Sequence, residues 1–306
     1  MVSTMDDDYD SRAMLVRKKA LKVQERLGMR IGVSYSTSRV KAIRTTDDAL
    51  TALTELYKVG LRAFVLPKEL FEKIKDTTDL YKEHYGDLLK IINLAQKYNI
   101  ELSLHHNDLP DDQVALDSVL KLYCNIANIM DCRTFIIHPN FYKMVPHDQS
   151  VKLIVYKMNE LANSMNIKIK IGIETTGRVD QVGSLEDVLD IAKRTTSTEP
   201  IVNFAHIHAR GVGALRSETD FKNVLDKIRK EVGPNWVSNA FMVFAGVTYG
   251  PSGVKDHVTF TKSDLKLQHL IKSLTSSGVK GTLIFSDPKK ELAVLDILKE
   301  LADMVR

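Results

Sequence analysis

Long apolar runs, a cysteine framework and glycine-rich phosphate loops are all missing from this chain of 306 residues. No stretch of about 18 apolar residues occurs, so the sequence predicts no membrane span. Cys124 and Cys132 are too few for a zinc knuckle or a disulfide framework, and we interpret them as core thiols in a reducing compartment. The acidic N-terminus lacks the apolar core of a secretory signal. These absences favour a cytoplasmic protein with no membrane partner.

The composition that remains is that of an ordinary globular protein with a small basic excess. Hydrophobic residues make up 44% of the chain, charged residues 27%, and the net charge is +4. A chain of this length can bury most of its unfolded surface, so folding requires neither a disulfide nor a structural metal. The positive charge permits a polyanionic partner without demanding one. We expect a monomer.

A β-rich run, a turn and a helical segment recur eight times between residue 30 and the C-terminus. The β-rich runs are almost continuously apolar, which is typical of parallel strands buried on both faces. Strands that alternate with helices need crossover connections, and eight such units predict an α/β fold of the (β/α)8 TIM barrel type over residues 30–306. The alternative is an open doubly wound sheet, but no glycine-rich turn follows the first strand. The predicted strands are 31–35, 63–66, 100–105, 134–138, 169–174, 201–206, 242–247 and 282–285, and a helix over 289–304 closes the chain.

The first 29 residues precede the repeats and are expected to form a helical extension. An acidic segment, Asp6–Asp8, comes before a basic stretch, Arg12–Arg26. One interpretation is a surface helix that covers the bottom of the barrel, and the other is an arm that binds a partner or nucleic acid. We favour the first, because basic helical faces are usually only solvated.

Histidine and carboxylate residues gather at the predicted carboxyl ends of the middle strands, where the active sites of β/α barrels lie. His105, His138 and His206 each fall at the end of a different strand, Glu174 ends the strand between the last two, and His257 follows the seventh strand. Imidazole and carboxylate together suit Zn²⁺, Mn²⁺ or Fe²⁺. A coincidental cluster of hydrogen-bonded histidines is the alternative. Three strand ends of the same kind favour a metal site.

Three segments of this set resemble the endonuclease IV family of apurinic/apyrimidinic endonucleases, which belongs to the xylose-isomerase-like barrels. The segments are Ile137-His138-Pro139, Ile173-Glu174-Thr175-Thr176-Gly177 and Phe204-Ala205-His206-Ile207-His208-Ala209-Arg210. The resemblance covers the chain from about residue 30 to the C-terminus. It implies zinc-dependent hydrolysis of the DNA phosphodiester at abasic sites, with three zinc ions in the complete family site and duplex DNA as the partner.

One of the three implied zinc sites is complete in this sequence. Its ligands match His105, His138 and Glu174, with His106 as the alternative to His105 if the strand register is shifted by one. Glu174 is also the residue to which the resemblance assigns a catalytic role, since it bridges two metals in the family.

The second implied zinc site is degenerate. The family's aspartate, histidine and glutamate fall at Asn203, Val243 and Ser286, with Asp287 beside the last position. Asparagine is a weak neutral ligand, and valine cannot bind a metal. Asp287 replaces the glutamate only if the strand end shifts by one residue, which ordinarily turns a side chain to the other face.

The third implied site keeps its two histidines, His206 and His257, but has Lys255 at the aspartate position. A lysine ammonium has no lone pair to donate to a metal. We therefore expect one or two Zn²⁺ ions rather than three, with Mn²⁺ as an alternative. Lys255 is expected to occupy part of the space that a metal would fill.

Three functions follow from this pattern. The first is a divergent endonuclease IV-like enzyme, which cleaves DNA weakly because several metal ligands are replaced. The second is a non-catalytic DNA-binding homologue. The basic residues that could contact phosphates in either case are Lys143, Arg178, Arg210, Arg216 and Lys255. The third is a metal-dependent sugar or sugar-phosphate isomerase, against which the loss of metal-bridging carboxylates counts.

Overall fold

Eight parallel strands close into a barrel in the computed structural model, which describes residues 16–304 except for the side chain of Lys299. The ring runs in chain order from the first strand to the sixth, then through the seventh and the ninth back to the first. The remaining strand, β8, pairs antiparallel with β7 outside the ring. The bounds are β1 (Met29–Ser34), β2 (Ala63–Pro67), β3 (Glu101–His106), β4 (Thr134–Ile137), β5 (Lys170–Glu174), β6 (Thr198–Asn203), β7 (Ala240–Gly250), β8 (Gly253–Val258) and β9 (Gly281–Ser286). The predicted (β/α)8 barrel is confirmed.

Helices surround the ring and follow nearly every strand. The helices α2 and α7, whose bounds are given below with those of the other helices, each begin after a capping box. In these boxes Thr45 and Ser184 pair with an aspartate three residues later. The bounds of all the helices follow. They are α1 (16–27), α2 (Thr46–Val59), α3 (Thr77–Asp79), α4 (Tyr85–Tyr98), α5 (Gln113–Ile129), α6 (His147–Ser164), α7 (Leu185–Arg194), α8 (Phe204–Arg210), α9 (Glu218–Val232), α10 (Asn235–Ser238), α11 (Leu267–Ser277) and α12 (Glu291–Met304). Within residues 16–304, no helix combines the length and the apolar character that a membrane crossing requires.

Apolar side chains fill the inside of the barrel below its strand-end opening. This inner cluster consists of Ala63, Val65, Ile136, Ile201, Phe241, Val243 and Ile284. Beside it, Gly32 of β1 lies so close to β2 that a Cβ atom there would come within 1.9 Å of the carbonyl oxygen of Ala63. The packed interior leaves space for chemistry only at the strand-end mouth.

The helix over residues 16–27 packs against the end of the barrel where the strands begin. Its Ala20, Val23 and Leu27 are buried in the main hydrophobic core. Gln24 donates to the carbonyl oxygen of Gly60 at 2.8 Å and accepts from the backbone N–H of Ile31 at 2.8 Å. These contacts support the surface-helix interpretation for this segment. The acidic segment Asp6–Asp8 and the first residues of the basic stretch lie outside the described residues.

Two local predictions of strand extent were wrong. Strand six was predicted over residues 201–206, but β6 ends at Asn203 because the Asn203 side chain caps α8 by accepting from the backbone N–H groups of Ala205 and His206. Strand seven was predicted over residues 242–247, but β7 runs from Ala240 to Gly250. It then forms a hairpin with β8, which carries Lys255 and His257.

Candidate metal centre

Three side chains converge at the strand-end mouth of the barrel. His105 lies in β3, His138 directly follows β4, and Glu174 is the last residue of β5. The Nε2 atoms of His105 and His138 lie 3.2 Å and 3.1 Å from Oε2 of Glu174. One ligand atom from each of the three residues lies within 4.8 Å of the other two. This group, which we call the His-His-Glu triad, can hold a metal ion.

The hydrogen bonding of His105 tests whether the triad fits a metal. Its Nδ1 is hydrogen-bonded to the hydroxyl group of Tyr35. Its buried Nε2 has no hydrogen-bond partner among residues 16–304, although Glu174 is close by. A buried nitrogen without a partner costs free energy unless something else binds it. The donor set, two imidazoles and one carboxylate, is one that Zn²⁺ accepts, so the residues fit.

The surroundings of His105 and Glu174 favour the protonation states that bind a metal. The pKa of the His105 imidazole is lowered to about 3 by burial, so the ring is neutral near neutral pH. Burial opposes the negative charge of Glu174, but His105 and a hydrogen bond from His138 hold the pKa of this carboxyl below its usual range. Neutral imidazole and ionised carboxylate are the forms that bind metals.

His106 does not belong to the triad, so the register that selects His105 is the one the structure supports. The ring of His106 packs edge-on against Tyr123, at 4.8 Å between centroids, and its Nδ1 lies 3.6 Å from Oδ1 of Asp108. Neighbouring residues of a strand point to opposite faces, so only one of the two histidines can face the mouth.

Two uncharged neighbours hold the triad in place. Asn203 donates from Nδ2 to Oε1 of Glu174 at 2.9 Å, while its Oδ1 caps α8. Tyr35 stacks on His105 with 5.6 Å between ring centroids in addition to its hydrogen bond. Asn203 was predicted only as a degenerate ligand position, and Tyr35 was not predicted at all. Its place directly after β1, at a strand end, was the available indication.

The histidines of the third implied site lie beside the triad. The ring centroids of His206 and His138 are 6.0 Å apart, and those of His206 and His257 are 5.9 Å apart. However, Nδ1 of His206 is hydrogen-bonded to the carbonyl oxygen of Thr175 at 2.5 Å. Because only its Nε2 remains, His206 can offer one ligand atom, on the side that faces Asn203 at 3.4 Å.

The remaining degenerate positions add no further ligand to the triad, although Asp287 lines its cavity. Val243 belongs to the apolar inner cluster, and the hydroxyl of Ser286 lies 3.3 Å from that of Ser34. The carboxylate of Asp287 already accepts backbone N–H groups from Phe260 at 2.9 Å and Lys289 at 2.8 Å. Because both carboxylate oxygens of Asp287 stabilise the backbone of these loops, neither is free to replace the missing glutamate of the second implied site.

Lys255 does not occupy the space of a metal. It is exposed on β8, and its side chain lies against Gly250. His206 and His257 both line the triad's cavity, with 5.9 Å between their ring centroids, whereas Lys255 does not line it. The expectation that Lys255 replaces a metal ion is therefore wrong, because the β7–β8 hairpin directs its side chain elsewhere.

Most of the basic residues proposed for phosphate contact are paired within the chain. Arg178 forms an ion pair with Asp180 at 2.9 Å, and Lys143 pairs with Asp111 at 3.0 Å. Arg210 donates to the hydroxyl of Thr176 and to the carbonyl oxygens of Arg178, Val179 and Gln181, which ties down the loop between β5 and α7. These pairings make Arg210 a structural residue of the mouth.

Replacing Arg210 by alanine should destabilise the fold, whereas replacing Arg178 should not. Arg210→Ala leaves several carbonyl oxygens of one loop without their charged donor, and we expect a loss of about 2 kcal/mol in the free energy of unfolding. Arg178→Ala removes only an exposed ion pair, which contributes little to stability, so its effect should be close to zero. Urea denaturation of both variants measures the difference. Equal losses would contradict the assigned role of Arg210.

The triad lines a cavity of about 350 Å³ at the mouth of the barrel. Its apolar wall comes from the inner cluster, and its polar wall includes Tyr35, Asn203, His206 and His257. A cavity of this size admits a small molecule or one reacting group of a larger one.

Comparison with known proteins agrees with this architecture. The model of the family described as "Xylose isomerase-like TIM barrel" matches residues 53–306. The chain belongs to this family. An uncharacterized protein of Methanocaldococcus jannaschii is 21% identical over 262 residues, which cover 83% of this chain and 92% of that protein.

Solved structures with a similar fold are described as proteins of different activities. Endonuclease IV from Thermus thermophilus has a TM-score of 0.64 at 15% identity, covering 90% of this chain and 99% of that one. A D-tagatose 3-epimerase-like protein has a TM-score of 0.63 at 16% identity, covering 90% and 98%. At such identities the likeness shows the fold alone and assigns neither activity to this chain.

Proposed function

We propose that the chain is a divergent, endonuclease IV-like phosphodiesterase that works with one metal ion in the His-His-Glu triad. The observation that carries the proposal is the convergence of two imidazoles and one carboxylate on a strand-end cavity, with one buried imidazole nitrogen unpaired. Zn²⁺ is the ion that this donor set favours, with Mn²⁺ as the alternative. When bound, such an ion polarises a phosphoryl oxygen and activates water.

The chain's own residues supply orientation and exclusion of water around the triad. Tyr35 fixes the ring of His105 through its hydrogen bond, and Asn203 fixes one oxygen of Glu174. The inner cluster closes the cavity from below with apolar side chains, which strengthens electrostatic interactions in the mouth. Such fixed partners are what a site needs to hold its ligands in one geometry.

The replaced positions imply a weak reaction. Hydrolysis by clustered metals shares the stabilisation of attacking and leaving oxygens among several ions. Asn203, Val243 and Ser286 cannot hold a second ion in the way that two carboxylates and a histidine can. Removing one such stabilising group typically costs about 10²- to 10³-fold in rate.

The sugar isomerase is the second candidate, because the mouth contains a cavity of small-molecule size. One of the similar structures is described as a D-tagatose 3-epimerase-like protein. Against this candidate, Glu174 is the only carboxylate of the triad, and Asp287 is engaged by backbone N–H groups. The non-catalytic DNA-binding homologue is less favoured, since Arg178 and Arg210 already have partners within the chain.

Cleavage of abasic-site duplex DNA with added Zn²⁺ or Mn²⁺ tests the proposal. We expect slow cleavage by the wild-type chain and a loss of at least about 10²-fold in Glu174→Gln, which keeps the shape of the side chain and removes its charge. Glu186→Gln is the matched control, because Glu186 is an exposed carboxylate that pairs with Lys227. No cleavage by the wild-type chain, or equal cleavage by Glu174→Gln, would reject the phosphodiesterase.

A further inference from the structure

A second cavity of about 370 Å³ lies next to the first at the mouth of the barrel. It is bordered by the loop between β1 and α2, the residues after β2 and the start of the segment before α12. Tyr35, His105, Asn107 and Lys290 line both cavities. A molecule that reaches the His-His-Glu triad can therefore extend into this second cavity, which we call the side cavity.

The side cavity is strongly basic. Its charged lining residues are the four cations Lys41, Arg44, Lys68 and Lys290 and the single carboxylate Glu69. Lys68 is paired with Asp108 at 2.6 Å. Lys41, Arg44 and Lys290 form no direct ion pair with any residue in the described range 16–304, and the carboxylates of Asp287 and Glu291 act on Lys290 only from a greater distance. A concave surface with an excess of one charge attracts the opposite charge.

Lys290 differs from an ordinary solvated lysine. It is half-buried and adopts the left-handed backbone conformation, with φ at 57°. This conformation is costly for a residue with a side chain and persists where the surroundings impose it. Here the backbone N–H of Lys290 donates to the carbonyl oxygen of Asp287 at 2.9 Å, and the Asp287 carboxylate is itself held by Phe260 and Lys289. The ammonium group is thus carried by a fixed turn between the two cavities.

Tyr35, which follows the neighbouring strand β1, shows the same feature. It also adopts a left-handed conformation, with φ at 69°, directly after β1. Its backbone N–H donates to the carbonyl oxygen of Val65 at 2.8 Å, which anchors it to the neighbouring strand. Tyr35 and Lys290 follow neighbouring strands, and each lines both cavities. Their strained backbone conformations indicate that the surrounding structure fixes the passage between the two cavities.

We propose that the side cavity binds the phosphate monoester group of a small molecule whose other end reaches the triad. The lysine and arginine side chains offer several cations within one small cavity, and a monoester carries close to two negative charges at neutral pH. A phosphodiester of a nucleic-acid backbone carries one. The excess of cations over carboxylates therefore favours the monoester. This inference does not depend on hydrolysis at the triad.

Calorimetric titration of the full chain with inorganic phosphate tests the proposal directly. The protein is first treated with a chelator, so that phosphate cannot bind through a metal ion, and ionic strength is held constant. We expect saturable binding, with dimethyl phosphate, a diester probe, binding more weakly. Lys290→Met should weaken phosphate binding by about tenfold, the loss expected for one charge-assisted contact.

Lys289→Met is the matched control, because Lys289 is the neighbouring lysine, is exposed and pairs with Asp296 at 3.4 Å instead of lining either cavity. Lys41→Met provides a second test, because Lys41 lines the side cavity from the loop between β1 and α2. Its replacement should also weaken phosphate binding, and it leaves the turn that carries Lys290 unchanged. Absence of saturable binding, equal affinity in Lys290→Met and Lys289→Met, or equal binding of the diester would overturn the proposal. Phosphate binding without DNA cleavage would reject only the phosphodiesterase.

Discussion

Wild-type protein should bind one equivalent of Zn²⁺ tightly, and His138→Ala should lose it. The imidazole of His138 is one of only three ligand groups in the His-His-Glu triad, and it lies 3.1 Å from Glu174. Loss of an outer partner of a metal ligand already costs about 10- to 100-fold in affinity, so loss of a ligand itself should cost at least about 100-fold. Metal content after dialysis, followed by competition with a chromophoric chelator, measures both the stoichiometry and the affinity.

His147→Ala is the control for this measurement. His147 is an exposed histidine at the start of α6 that pairs with Asp187 at 2.9 Å, outside the triad. Its replacement should leave the bound metal unchanged. Three tightly bound equivalents in the wild-type chain would contradict the loss of the second and third implied sites. A single equivalent retained by His138→Ala would place the metal elsewhere.

Gly32→Ala should strongly destabilise the barrel. The added Cβ atom would lie 1.9 Å from the carbonyl oxygen of Ala63 and 2.7 Å from its Cβ. Backbone of a neighbouring strand cannot move aside as a flexible side chain can, so we expect a loss of at least about 3 kcal/mol, at the upper end of typical overpacking costs. Because Tyr35 follows β1 and bonds to Val65 of β2, displacement of these strands should also disturb His105.

Gly86→Ala makes the matched comparison, since it is the same substitution at an open site. Gly86 lies in the first turn of α4 and is exposed, and a Cβ there would meet nothing within 4 Å. An alanine in a helix should stabilise the chain by about 0.5–1 kcal/mol. Urea denaturation of the two variants should give changes of opposite sign. A cost below about 1 kcal/mol for Gly32→Ala would show that β1 and β2 are less closely packed than described.

The barrel could be predicted from the sequence because its strands carry a simple pattern. Each β-rich run is apolar on both faces, and the interior residues Val65, Ile136 and Ile284 came from such runs. The triad could be predicted because a residue that points inward at the end of a parallel strand faces the mouth whatever the details of the loops. His105, His138 and Glu174 are all within one residue of a strand end.

The parts that could not be predicted depend on side-chain hydrogen bonds that no periodic pattern reveals. The end of β6 is set by the amide of Asn203, which caps α8 and thereby converts a run of apolar residues into a helix. The role of Arg210 depends on carbonyl groups of a loop about thirty residues earlier in the chain. Lys255 was misplaced because its direction follows from the pairing of β7 with β8, and the pairing includes a register shift between Thr248 and Tyr249.

Asn203 has a consequence for the charge of the whole mouth. With an amide where a carboxylate would stand, the His-His-Glu triad carries one formal negative charge, that of Glu174. A divalent ion held by the triad would leave one positive charge there inside a low-dielectric wall, while Lys290 and the Asp287 carboxylate, which line the same cavity, offset each other. The electrostatic potential of the mouth would then select among reactants by charge before they bind. Anions would be drawn in from solution at a rate that falls as salt is added, and cations would be turned away.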